Sequence, residues 1–146
     1  MAEILYIRIG SQAQNAIHWL IRTANDEEII ASGKLNNAGE LQQLCEKAQQ
    51  RQVTVLVPSC DLVFKSLTVP SKSTRAIRQA VPYMLEEEIA QDVEQMFFAY
   101  GDIAHQGPEQ SNSYNCFVAA IDRALMQQWQ QWFVDAHIVV KKMVPD

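Results

Sequence analysis

The chain has 146 residues, 48% of them apolar, and a formal net charge of −5 at pH 7. That length and apolar content suit one compact globular domain, or two small lobes sharing a core. The acidic balance, with only 12 scattered lysines and arginines, argues against nucleic-acid binding, which needs a basic stripe to neutralise phosphates, and favours a basic protein partner.

Residues 4–9 alternate Ile4, Tyr6 and Arg8 with Leu5, Ile7 and Ile9, the period of a strand with one largely apolar face. Turn residues follow from Gly10 to Asn15, and 16–23 and 28–34 read as two further strands separated by Asn25-Asp26, an antiparallel meander. Asn37-Ala38-Gly39-Glu40 resembles a capping box, with Asn37 accepting from the backbone and Glu40 reaching back. The helix it opens runs to about Arg51, with Leu41, Leu44, Cys45 and Ala48 on one face. The continuous apolar run 53–57 has the pattern of a buried central strand, and Pro58 ends it. Another strand, 62–69, is bounded by Pro70.

The next segment sets sequence pattern against local energetics. Ile77, Val81, Leu85, Ile89, Val93 and Met96 recur at three- and four-residue spacing, which predicts one amphipathic helix over about 73–96. Pro82 lies inside it, removing a backbone hydrogen bond and clashing with the preceding turn at a cost of about 3 kcal/mol. The helix must therefore bend there or restart with Pro82 in its first turn. Charge opposes the helix dipole as well. Lys72, Arg75 and Arg78 sit toward the N-terminal end and Glu86, Glu87, Glu88, Asp92 and Glu94 toward the C-terminal end, each misplaced charge costing up to about 1 kcal/mol.

On a helical wheel Glu88 and Asp92 fall inside or beside the apolar stripe, four residues apart and mutually repelling. Three readings are open to them: a solvated edge, part of an acidic docking face for arginines or lysines of a second protein, or a catalytic carboxylate pair. General acid/base work needs a cleft and an accompanying group, and no His or Ser motif lies beside them. The residues expected to carry partner binding are Glu86, Glu87 and Glu94.

Beyond this segment, 97–103 and 114–121 read as antiparallel strands joined by a polar loop over 104–113 containing Gly107-Pro108, the best candidate for disorder. Asp122 caps a helix whose Leu125, Trp129, Trp132, Phe133 and Ala136 share a face, a spacing that favours core packing over ligand stacking. A final strand covers 138–144. The order is βββαβ followed by βαββαβ, a mixed α/β arrangement. His18, His105 and His137 are dispersed, as structural or exposed histidines are, and the paired glutamines fall on polar helix faces. Cys45, Cys60 and Cys116 are odd in number and form no C-x-x-C pair, so buried thiols in a reducing compartment, the cytoplasm, are expected. No catalytic, metal or cofactor site is expected. Met1-Ala2-Glu3-Ile4 has no basic n-region and no long apolar run, so no secretory signal is expected. The longest apolar stretch, 116–121, is too short to cross a bilayer.

Three strands, a helix and a strand resemble the opening of the actin-like and ribonuclease-H-like fold, in whose ATPases the turn after the first strand holds phosphate. Here that turn reads Ile7-Arg8-Ile9-Gly10-Ser11-Gln12. Gly10 and Ser11 match, but Arg8 stands where the magnesium-binding aspartate would be, and a guanidinium repels a hydrated cation. An actin-like nucleotide-binding ATPase or switch is thus the alternative rather than the leading reading.

The whole chain resembles the N-terminal part of the cytoplasmic domain of the general secretion pathway protein L family, the L component of the type II secretion system. The likeness rests on Ile7-Arg8-Ile9-Gly10, the 55–61 stretch Val-Leu-Val-Pro-Ser-Cys-Asp, the segment 81–94, Leu125-Met126-Gln127-Gln128-Trp129 with Trp132, and Val144-Pro145-Asp146. The resemblance implies a degenerate actin-like fold in two small lobes. Residues 1–60 form the first, with 141–146 returning to it, and 61–140 form an inserted second lobe bearing the acidic helix. It implies a non-enzymatic cytoplasmic scaffold that docks the secretion ATPase, through the ATPase's N-terminal domain, to the inner-membrane platform. It also implies contact with the M component, mostly through regions outside this chain, and self-association as a homodimer. Members of the family continue past Asp146 through another cytoplasmic lobe, a single transmembrane helix and a periplasmic domain, which would place this chain on the cytoplasmic face of the inner membrane, itself making no membrane contact.

Overall fold

The computed structural model describes residues 2–25, 28–70, 72–105, 107–108 and 113–146, with the backbone alone at Asp102. In chain order its elements are β1 (Glu3–Arg8), β2 (Ile17–Thr23), β3 (Ile29–Leu35), a 3-10 helix (Ala38–Leu44) running into α1 (Cys45–Ala48), β4 (Gln52–Val57) and a 3-10 turn (Ser59–Asp61). There follow β5 (Val63–Val69), α2 (Thr74–Met84), a 3-10 turn (Val93–Gln95), β6 (Met96–His105), β7 (Tyr114–Asp122), α3 (Arg123–Asp135) and β8 (Lys142–Pro145). This is the expected order of strands and helices.

The strands form a five-stranded sheet, β3-β2-β1-β4-β8, and a three-stranded sheet, β5-β7-β6. In the larger one, β1 is antiparallel to β2 and parallel to β4, and β4 is parallel to β8. Alternation in β1 buries Leu5 and Ile7, and the continuous run in β4 buries Val53, Thr54, Val55 and Val57. Both faces of this strand are largely buried, which leaves neither for solvated polar residues.

The chain divides into two compact units, Met1–Asp61 with Gln127–Asp146, and Leu62–Met126. The division falls inside α3, not near residue 140. The cause is local: the indole N–H of fully buried Trp129 donates to the carbonyl of Ser11 at 3.2 Å, and the Cys45 thiol donates to the carbonyl of His137 at 3.6 Å. Both contacts tie the second half of the helix and its exit to the first unit.

In the second unit, one face of β5-β7-β6 supplies Val69, Cys116, Val118 and Ala120 to a core completed by Ile77, Val81, Leu85, Ile89 and Met96. Every member of the predicted apolar stripe is buried, Val93 included. The continuous helix is not there. Ser73 caps α2 by accepting from the Ala76 N–H at 3.5 Å, and the helix passes through Pro82 only to stop at Met84. Pro82 has no N–H for the fourth carbonyl back, so the ladder is already broken when the acidic run begins. Residues 85–92 continue as turns, with N–H groups of Glu88 and Ile89 both reaching the carbonyl of Leu85 at 2.9 and 3.0 Å. Such turns keep roughly helical spacing, which explains why the stripe stays buried after the helix has ended.

Three smaller expectations are corrected. Asn37 makes no side-chain cap; Glu40 alone reaches back, its Oε1 accepting from the Asn36 N–H at 2.9 Å, over a helix that starts as 3-10. The last strand begins at Lys142 because 136–138 closes α3 instead. His137 adopts a left-handed φ of 59°, and the N–H groups of His137 and Ile138 donate to the carbonyls of Val134 and Phe133 at 3.1 and 2.9 Å, a Schellman closure with histidine where glycine is usual. The cysteines are free, but Cys116 alone is buried; Cys45 is half-buried and Cys60 exposed. Of the loop expected over 104–113, β6 takes in His105, while 106 and 109–112 lie outside the described residues. Among the described residues no helix is long and apolar enough to cross a membrane.

Candidate functional site

The acidic segment lies over the second unit's sheet, held down by Leu85, Ile89 and Val93 with its carboxylates outward. The five acids divide into two groups. Glu88 pairs with Lys65 of β5, Oε2 to Nζ 3.5 Å, and Asp92 caps the Val93–Gln95 turn, its Oδ1 accepting from the Glu94 N–H at 3.1 Å. Both are exposed, and each has a partner within the unit that offsets its charge. Asp92 and Glu94 now stand at the start of a short 3-10 turn, where negative charge is favourable.

Glu86, Glu87 and Glu94 are exposed and form no ion pair or side-chain hydrogen bond among the described residues. Glu86 and Glu94 are brought together on one cavity of about 580 Å³, which Asp92 also lines; Glu87 does not reach it. Tyr83 belongs to the same cavity and is 75% exposed. Sequence reading passed over this tyrosine. Its position off the 77/81/85/89 stripe was the available signal that an aromatic ring faced outward. Arg78 and Arg123 also reach the cavity, each already engaged: the Arg78 guanidinium carbon is 5.9 Å from the Tyr100 ring centroid, and Arg123 Nη2 donates to the Met96 carbonyl at 3.2 Å. Burial pushes the Tyr100 phenol above its ordinary pKa, the charge of Arg78 opposing it, and burial likewise pushes up the Cys116 thiol.

In the first unit, the turn after β1 is closed by its own polar groups. The Asn15 carboxamide accepts from the Gln12 N–H at 2.8 Å and fills the space a side chain at Gly10 would need. The Ser11 hydroxyl donates to the Asp61 carboxylate. A phosphate here would meet Asp61 instead of free donors, an electrostatic arrangement opposite to a phosphate cradle. Arg8 is held by Asp146, Nε to Oδ2 3.2 Å. The N–H of Ser59 donates to the same carboxylate at 3.0 Å. That backbone bond first, and Arg8 after it, hold the Asp146 carboxyl below the usual carboxylate range. His18, His105 and His137 are all exposed, His105 edge-on to Tyr114. Trp129 and Phe133 are core; Trp132 is half-buried.

The family model for type II secretion system (T2SS), protein L, matches residues 5–146. Type II secretion system protein L of Vibrio cholerae serotype O1 is 32% identical over 146 residues, covering all of this chain and 34% of that protein. The proteins of the same name from Klebsiella pneumoniae and Dickeya chrysanthemi are 31% and 28% identical, covering 99% and 97% of this chain and 34% and 33% of their own. The chain thus spans about a third of the length of the curated relatives it matches. Among solved structures, the cytoplasmic domain of EpsL, an inner membrane component of the type II secretion system of Vibrio cholerae, superposes with a TM-score of 0.79 at 32% identity, over 99% of this chain and 57% of that one. The PilM-PilN type IV pilus biogenesis complex matches with a TM-score of 0.73 at 16% identity, over 98% of this chain and 46% of that one, a likeness of fold alone. The mixed α/β fold is of the actin-like kind, and the chain belongs to the type II secretion system protein L family.

Proposed function

We propose that this module is a non-enzymatic docking platform that holds the N-terminal domain of the secretion ATPase at the cytoplasmic face of the inner membrane, contacting it through Glu86, Glu87 and Glu94. The observation that carries the reading is that these three carboxylates are exposed and, among the described residues, unpaired, Glu86 and Glu94 lining one cavity with the exposed ring of Tyr83, on a segment whose other acids are engaged within the protein. Exposed like charge without internal partners is unfavourable in isolation and becomes favourable against a basic surface. The closed turn after β1, with Asp61 on Ser11, supports the absence of nucleotide chemistry from the role. Contact with the M component and self-association belong to the same reading through family membership.

Calorimetric titration with the purified N-terminal domain of the secretion ATPase tests it. Replacing Glu86, Glu87 and Glu94 together by lysine should weaken binding at least about tenfold. Unchanged affinity would remove this face from the interface.

A further inference from the structure

We propose that the cavity beside Pro82 is a socket for one arginine side chain of the docking partner, its guanidinium taken by Glu86 and Glu94 and its stem lying against Tyr83 and Phe98. This inference rests on the docking reading above and specifies its chemistry. The cavity, about 580 Å³, is far larger than a water site and has the volume for a long side chain. Pro82, Tyr83, Met96 and Phe98 give it apolar wall, suited to the methylenes that arginine and lysine lay along apolar surface. Its lining carries three carboxylates against two guanidiniums. Arg78 lies over Tyr100, Arg123 donates to the Met96 carbonyl, and Asp92 is bound to the Glu94 N–H. Glu86 and Glu94 remain unpaired among the described residues, two acceptors lining one cavity.

Arginine fits this set better than lysine for a geometric reason. Its planar fork can bond two carboxylates at once and still present a face to an aromatic ring, whereas the lysine ammonium is a compact and strongly hydrated point charge. The three carboxylates outnumber the two guanidiniums of the lining, so a cation is favoured over an acidic side chain.

The test uses the 146-residue protein and three small probes: N-acetyl-arginine amide, N-acetyl-lysine amide and the neutral isostere N-acetyl-citrulline amide. In an amide-resolved NMR titration, the arginine probe should shift Gln79, Tyr83, Val93 and Phe98, the lysine probe should shift them less, and citrulline not at all. Gln79→Trp, at an exposed position lining the cavity, adds an indole to the socket without altering charge. It should abolish those shifts and weaken the ATPase domain about tenfold, the scale of a charged hydrogen bond with a stacked cation. Tyr83→Ala, also at an exposed position, gives a second variant with the same expected direction. If the triple lysine variant weakens docking while Gln79→Trp and Tyr83→Ala leave it unchanged, the docking face stands and the socket is overturned. If neither the lysine variant nor Gln79→Trp affects docking, both fall. Equal shifts from arginine and lysine overturn the choice of arginine.

Discussion

Among the described residues both units hold engaged and unpaired carboxylates, but the unpaired ones of the first, Glu28 and Glu46, lie far apart in sequence, and three of the second fall on one short segment. In the first, Glu3 binds Arg51 at 2.8 Å, Asp61 accepts from Ser11, Glu40 accepts from the Asn36 N–H, and Asp146 is held by Ser59 and Arg8. In the second, Glu88, Asp92 and Asp122 are engaged as well, while Glu86, Glu87 and Glu94 are exposed and, among the described residues, unpaired. Internal pairing closes a surface, because a satisfied group has little to gain from a new partner; an unpaired group keeps that gain for binding. The difference fits a first unit that uses the glycine and serine after β1 as structure, and the docking proposed for the second unit. It also predicts how each unit responds to mutation.

The largest effect should come from the first unit's core. Trp129→Ala empties a fully buried site and leaves the Ser11 carbonyl without its donor, a loss of about 3–5 kcal/mol. Urea denaturation checks it. Should the fold survive, docking should be unaffected, and a parallel loss of docking in the folded variant would break the separation of roles. Next is Pro82→Ala. Restoring an N–H within α2 removes a penalty of up to about 3 kcal/mol, so the second unit should gain about 1–3 kcal/mol, measured the same way. The lengthened helix would carry Glu86 away from Glu94, and docking should weaken as stability rises. A stabilised variant that docks normally would show that the turn conformation of 85–92 has no part in presenting the acids.

Much of the fold was legible. The order of elements follows from period-two runs and turn residues, and the stripe from Ile77 to Met96 correctly identified the buried positions. The helix over 85–96 was misread because spacing alone cannot separate a helix from consecutive turns with the same three- and four-residue bonds. Pro82 and the reversed charges were the evidence against it, and they prevail because no burial is lost when the helix stops. The site was half legible. Glu86, Glu87 and Glu94 are exposed, but which acids are engaged depended on Lys65, 23 positions before Glu88, and on no pattern near the segment. Asp61 reaching Ser11 across 50 positions is invisible for the same reason.

A smaller effect concerns pH and the first unit alone. Asp146 is held below the usual carboxylate range, so its contribution is fully present above the unfolded value, near pH 4, and is lost as pH falls through the lower folded value. The urea midpoint should drop from pH 5 to pH 2.5 slightly less in Asp146→Asn than in the wild type. An equal drop would mean that the Ser59 and Arg8 contacts contribute nothing to folding.

The salt dependence of docking tests the central claim most directly. The affinity of the secretion ATPase's N-terminal domain for the wild-type protein should fall steadily between 50 and 300 mM NaCl, as expected when exposed charges meet across an interface. With Glu86, Glu87 and Glu94 replaced by lysine, binding should be weaker at low salt and the slope should flatten or reverse. A triple variant that binds as tightly as the wild type with the same slope would contradict the account.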